Sequence, residues 1–313
     1  MKPKQIYIYS PSSAVRDKAA FRRGLARLKA LGHTVEVDTA ALDSHQRFAG
    51  DDATRVAGIS RAAASGADVA LISRGGYGLT RILDQLPYKA VAKAIAHGTE
   101  FVGLSDFTAL QLALLAKTGA VSWSGPALGE DFGAEAGPDE IMEACFDDLL
   151  VGQGEGTGWR LPARDAGAST VPGTLRGTLW GGNLCVLSSL LGTPYFPEVA
   201  KGILFLEDVN EHPYRIERML DQLLHAGVLG QQQAIVLGQF TGWRKLPHDR
   251  GFDLNKVISR LRENLKIPVL TGLPFGHVPT KVLLPVGATV DLACEGRDVF
   301  MVWGHRHTHH HAH

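Results

Sequence analysis

Residues 67–78 read ADVALISRGGYG, a short apolar run from Val69 to Ile72 that breaks at Ser73 and enters a turn with glycines at Gly75, Gly76 and Gly78. An apolar run of this length bounded by turn residues suits a strand covered on both faces, the kind that fills a parallel sheet. Upstream, TRVAGISRAAASG has helical spacing and ends at Gly66, TVEVDT alternates as a strand, AVRDKAAFRRGLARLKALG is an amphipathic helix stopped by Gly32, and QIYIYS opens the series as a strand. Downstream, LTRILDQL predicts a helix, TEFVGL a strand, DFTALQLALLAKTG a helix and AVSWSGP a strand. Strands alternating with helices predict an α/β fold with a doubly wound parallel sheet. Such sheets carry their functional loops at the carboxyl ends of the strands. Both RGGYG and the Ser105-Asp106 pair of FVGLSDFTAL occupy such ends.

At 313 residues the chain has room for two domains with cores of their own. Lys plus Arg and Asp plus Glu are equal at 32 each, so no net field favours nucleic acid or an anionic membrane. Cys145, Cys185 and Cys294 are odd in number, widely spaced and set among apolar residues; they read as buried thiols, not as disulfides or a zinc site. The N-terminal IYIY is too short for a signal peptide or a membrane span, so a soluble cytoplasmic protein is expected. The C-terminus, WGHRHTHHHAH, holds six histidines over residues 305–313 without the acids that orient metal ligands, and reads as a disordered tail that scavenges metals.

Composition turns to Gly, Ala, Thr and Pro over residues 153–173, which predicts an interdomain crossing. The expected organisation is therefore an N-terminal domain over 1–152, a second β/α domain over 174–304 and the tail. Strands are expected in GILFLEDV, QAIVLGQF, KVLLPVGATVDL and DVFMVWG, and helices in PYRIERMLDQLLHAG and FDLNKVISRLRENL.

Three polar groups stand at strand ends: Ser105, the acids of LEDVNEH and His277 in GLPFGHVPT. Serine catalysis needs a nucleophile, a base for its proton and an acid to orient the base. A serine between strand and helix lets the next residue's backbone N–H, here that of Asp106, join an oxyanion hole, although Phe107 stands where the usual elbow has a glycine. The glycine turn offers a second donor. Each piece also has a plainer reading: Ser105 and Asp106 as a helix start, the glycines as a turn or phosphate cradle, His277 as a structural histidine. Glu207, Asp208 and Glu211 are all candidates for the acid. Alternation sends Glu207 and Asp208 to opposite faces of a strand, and Glu211 precedes a helix start that favours an acid for its own reasons.

SRGGYGLTRILDQL, GLSDFTALQL, GTLWGGNLCVLSSLLGT, GILFLEDVNEHPYRIERMLDQL and GLPFGHVPTKVLLPVGATVDL together resemble the L,D-carboxypeptidases, the muramoyltetrapeptide carboxypeptidase family of serine peptidases. The resemblance runs over nearly the whole chain up to the tail; the N-terminal strand is somewhat more polar and aromatic than the family's. It implies a flavodoxin-like N-terminal domain, a smaller swivelling β/α domain, a homodimer and no metal or other cofactor. It also implies Ser105 as nucleophile, Glu207 as acid, His277 as base and oxyanion donors at Gly76 and Asp106. Its substrate is a murein peptide, whose terminal carboxylate makes Arg74 a candidate partner; Asn183 is a candidate for other polar groups. Related microcin-immunity peptidases would need an aromatic platform for a base, with Trp123, Trp180 and Trp243 available. A phosphate-binding module built on RGGYG lacks both the Gly-x-Gly-x-x-Gly spacing and a P-loop lysine, since Leu79 and Thr80 follow.

Overall fold

A computed structural model describes residues 2–167 and 171–304; the histidine-rich tail and what was expected of it lie outside them. The first half runs β1 (Gln5–Tyr9), α1 (Lys18–Ala30), β2 (Thr34–Val37), α2 (Asp52–Ala64), β3 (Val69–Ile72), α3 (Tyr88–Ala96), β4 (Glu100–Gly103), α4 (Thr108–Thr118), β5 (Ser122–Ser124) and α5 (Glu140–Val151). Asp17, Asp51 and Asp139 cap α1, α2 and α5 by accepting first-turn N–H groups, which fixes where those helices start. β3 is buried at every position, as its unbroken apolar run requires.

The second half continues β6 (Gly156–Arg160), β7 (Thr174–Asn183), α6 (Leu184–Ser189), β8 (Ile203–Val209), α7 (Pro213–His225), β9 (Ala234–Thr241), α8 (Leu254–Asn264), β10 (Val269–Leu270), β11 (Leu284–Val286), β12 (Thr289–Glu295) and β13 (Asp298–Val302). The strands form a six-stranded sheet ordered β11-β5-β4-β3-β1-β2 and a seven-stranded sheet ordered β10-β9-β8-β7-β12-β13-β6. β1 to β5 are parallel in the order 2-1-3-4-5, with antiparallel β11 added at the edge. This is the flavodoxin-like order, and the chain changes direction of winding between β1 and β3, which leaves a crevice at their carboxyl ends. In the second sheet β7 to β10 are parallel, and β12, β13 and β6 antiparallel.

The expected elements are corrected in three stretches. LTRILDQL is not a helix beyond a single 3₁₀ turn, Leu79–Arg81: Leu79, Ile82, Leu83 and Leu86 are all buried, Pro87 closes the segment, and Asp106 captures the Leu79 N–H at 2.9 Å. The crossing placed at 153–173 contains β6, which pairs with β13 at the edge of the second sheet. KVLLPVGATVDL is two strands serving two sheets. β11 pairs with β5 and, after Gly287 turns the chain at φ 98°, β12 pairs with β7.

The three cysteines are free; Cys145 and Cys294 are half-buried, and Cys185, in the first turn of α6, is exposed rather than buried. Among the described residues no helix is long and apolar enough to cross a membrane.

Candidate active site

Ser105 sits where β4 turns into α4, in a 3₁₀ turn over Ser105–Phe107, at φ 65°. The left-handed region is costly for a side chain and is held there only by its surroundings, at about 1–3 kcal/mol. Those surroundings are close. A Cβ at Gly103 would lie 2.7 Å from the buried Phe107 ring, and one at Gly75 would lie 2.7 Å from the Ser105 Cβ and 3.1 Å from its Oγ. The glycine turn therefore lies directly against the serine. Ser13 fixes the turn from the loop after β1, its N–H donating to Gly75 C=O at 3.3 Å and its hydroxyl accepting from Tyr77 N–H at 3.0 Å.

Asp106 points its side chain away from the cleft, where it is buried and accepts the Leu79 N–H. Burial raises its pKa, opposed by the backbone N–H groups of Leu79 and Gly78. The carboxyl thus ties the turn to the elbow. Its backbone N–H precedes the first bond of the turn, Phe107 N–H to Leu104 C=O at 3.2 Å, so helix geometry leaves that amide open. Among the described residues no hydrogen bond takes the Gly76 amide, where φ is 105°.

His277 arrives from the loop after β10, and its Nδ1 lies 2.8 Å from Oε2 of Glu207, which is fully buried in β8. Burial of the ring disfavours its charge, but the hydrogen bond and charge of Glu207 outweigh this and raise the His277 pKa above 6.5. Asn183, expected against substrate, lies one layer behind instead. It is buried, its side-chain oxygen caps α6 at Val186 N–H, and its Nδ2 donates to Glu207 Oε1 at 3.1 Å and to Asp208 Oδ1 at 2.9 Å.

Glu207 and Asp208 are not simply on opposite faces. The register of β8 on β9 shifts between Leu206 and Asp208, and both carboxylates reach the same amide. Asp208 accepts from Cys185 and Val209 N–H groups, each at 2.8 Å, and burial followed by the charge of Glu207 pushes its pKa up to about 6. Glu211, two residues before α7, pairs with Arg215 in the first turn of that helix.

Ser105, His277, Arg74 and Gly76 line one cleft of about 520 Å³. Arg74 donates to Ala14 C=O at 3.1 Å, its Nε is buried without a hydrogen-bond partner, and Glu130 lies 3.9 Å away. The same cleft holds groups that the sequence reading missed. Glu130 and Asp131 follow β5, and Lys281 follows His277 by four residues, donating from a buried position to Asp131 at 2.6 Å. A signal was available, because GEDFG stands just beyond a parallel strand's carboxyl end like the two loops that were found. Among the described residues no group of three or more His, Cys, Asp or Glu side chains is placed to hold a metal ion.

The family model for the LD-carboxypeptidase N-terminal domain matches residues 6–125 and that for the C-terminal domain residues 176–292. The chain belongs to the LD-carboxypeptidase family. A crystal structure of muramoyltetrapeptide carboxypeptidase from Oxalobacter formigenes is similar at 39% identity and TM-score 0.85, covering 96% of this chain and 98% of that one. A Bacillus subtilis protein named provisionally as a murein peptide carboxypeptidase is 29% identical, with 92% of this chain and 88% of the relative covered. The Escherichia coli microcin C7 self-immunity protein is 27% identical over 72% of this chain and 71% of its own length. As a member of this family the protein is a carboxypeptidase, and its two-domain α/β architecture is that of the Oxalobacter structure.

Proposed function

We propose that the protein is a serine L,D-carboxypeptidase that releases the terminal D-alanine from murein tetrapeptides. The observation that carries this reading is the strained Ser105 in one cleft with His277, whose ring is held by the buried Glu207. Ser105 Oγ attacks the carbonyl of the L-centre preceding D-alanine and passes its proton to His277 Nε2. Glu207 keeps the other ring nitrogen protonated and stabilises the imidazolium. The tetrahedral oxyanion rests on the N–H groups of Gly76 and Asp106. Collapse expels the D-alanine amine, which takes the proton from His277, and water then hydrolyses the ester with the same base. Arg74 is the cation for the terminal carboxylate.

Among the described residues no hydrogen bond joins Ser105 to His277; contacts of this kind often tighten only with substrate in place. The rival substrate, a peptidyl-nucleotide, needs a ring to stack its base. No Phe, Tyr or Trp lines the cleft among the described residues: Trp123 and Trp180 are buried, and Trp243 packs on His212. We infer further that the enzyme acts in the cytoplasm on recycled wall fragments and, as the family resemblance implies, as a homodimer.

Purified protein assayed on muramyl tetrapeptide, tripeptide and a peptidyl-adenylate analogue should cleave the tetrapeptide preferentially, and Ser105→Ala should lower the rate by several orders of magnitude. Retention of more than about a tenth of the activity, a loss under ~1.4 kcal/mol, removes Ser105 as nucleophile.

A further inference from the structure

The cleft that holds Ser105 and His277 is also lined by three carboxylates, and two of them are committed to the protein. Asp131 takes Lys281 at 2.6 Å and the Ala127 N–H at 2.8 Å. Asp139 takes the Thr280 hydroxyl at 2.6 Å and caps α5 at Ile141 and Met142. Glu130 differs. Its side chain is 52% exposed, it lines the cleft, and its ion-pair contact among the described residues is Arg74 at 3.9 Å, beyond hydrogen-bonding distance.

The backbone presenting Glu130 is fixed. Leu128–Phe132 is a single π-helical turn in which the Gly133 N–H reaches back five residues to Leu128 C=O at 2.8 Å. Such turns are rare and recur at functional sites. Gly129 N–H donates to Ser73 C=O at 3.0 Å, which locks the turn to the residue preceding Arg74, and a Cβ at Gly133 would lie 2.2 Å from Ala20 C=O. A carboxylate is thus held beside the cation nearest the glycine turn, half-exposed to the cleft and with no side chain within hydrogen-bonding distance among the described residues. Partial burial in the cleft raises the carboxyl pKa in spite of Arg74 nearby, a cost that a bound cation would offset.

We infer that Glu130 is a specificity-determining residue that binds the side-chain ammonium of the diamino acid preceding the scissile bond. The inference rests on the tetrapeptide reading above and adds to it the group that selects the penultimate residue. Glu130 and Arg74 together then match a substrate with an amine and a terminal carboxylate close to one reacting carbonyl. A charge-assisted hydrogen bond of this kind corresponds to a preference of roughly ten- to a hundred-fold.

Two tetrapeptides that differ only at the side-chain amine, one free and one acetylated, test this with kcat/KM as the readout. Wild-type enzyme should prefer the free amine by that factor, and Glu130→Gln should bring the ratio near one. A wild-type enzyme that takes both equally overturns the inference without any variant and leaves the tetrapeptide reading standing. A ratio that is the same in Glu130→Gln as in wild type also overturns it, and would mean that the acid only steadies Arg74. If neither tetrapeptide is hydrolysed, the tetrapeptide reading falls and takes the inference with it.

Discussion

At Ser105 stability and chemistry pull in opposite directions. A residue at φ 65° with a Cβ is strained, and glycine would relieve that strain. Ser105→Gly should therefore raise stability to chemical denaturation by about 1 kcal/mol while abolishing turnover; a destabilised variant would mean that the serine is not held under strain. The residue was legible as a candidate from its place between strand and helix, but its positive φ was not, because neighbours such as Gly75 and Phe107 impose it from outside the local sequence. His277 gives a second test at this scale. The base must be neutral, and its pKa is raised above 6.5, so kcat/KM should fall as pH drops through a midpoint above that value. Glu207→Gln removes the group that raises it and leaves burial to act alone, so the residual activity should show a midpoint moved to lower pH. An acid limb unmoved by Glu207→Gln would separate Glu207 from the base.

The element whose reading failed in detail is β8. Strict alternation separates Glu207 from Asp208, yet the register shift lets Asn183 hold both, and no periodicity in GILFLEDV announces the shift. By contrast β3 and α4 were legible because burial on all faces and a long apolar run leave few alternatives. Asp208 carries a consequence of the crowding. Its pKa rises from 3.8 to about 6 in the folded state, so the folded protein favours the protonated acid. That preference stabilises the fold at low pH and is lost as pH rises through roughly 4 to 6, a swing of order 3 kcal/mol for a buried group. Asp208→Asn cannot ionise, so its stability relative to wild type should improve over the same interval, with catalysis impaired less than in Glu207→Gln. Urea midpoints at pH 4 and 7 check this, and a difference that does not change with pH refutes it. Glu211, paired with Arg215 near the start of α7, should affect stability only slightly when changed to Gln.

On the scale of the whole molecule, what assembles the site is the return of the chain from the second sheet to the first. β10 belongs to one sheet and β11 to the other, and the stretch between them carries both His277 and Lys281. Composition placed the domain crossing earlier and could not reveal this one, because LLPV and ATVDL read as one continuous strand until partners are assigned. Two contacts pin the stretch to the first domain: Thr280 on Asp139 and Lys281 on Asp131. The second is an ion pair with both side chains 3% exposed. Removing one member of such a pair leaves a buried charge unmatched and costs about 3–5 kcal/mol, whereas removing both avoids that penalty. Burial already pushes the Asp131 carboxyl upward with Lys281 beside it, so the acid alone would be worse placed. Lys281→Met should accordingly destabilise the protein strongly and lower kcat by loosening the segment that positions His277. Adding Asp131→Asn should recover much of the stability and little of the activity, since the tether stays broken. Stability losses that simply add, to within about 0.5 kcal/mol, would show that the two side chains are independent and that the returning segment is held by β11 instead.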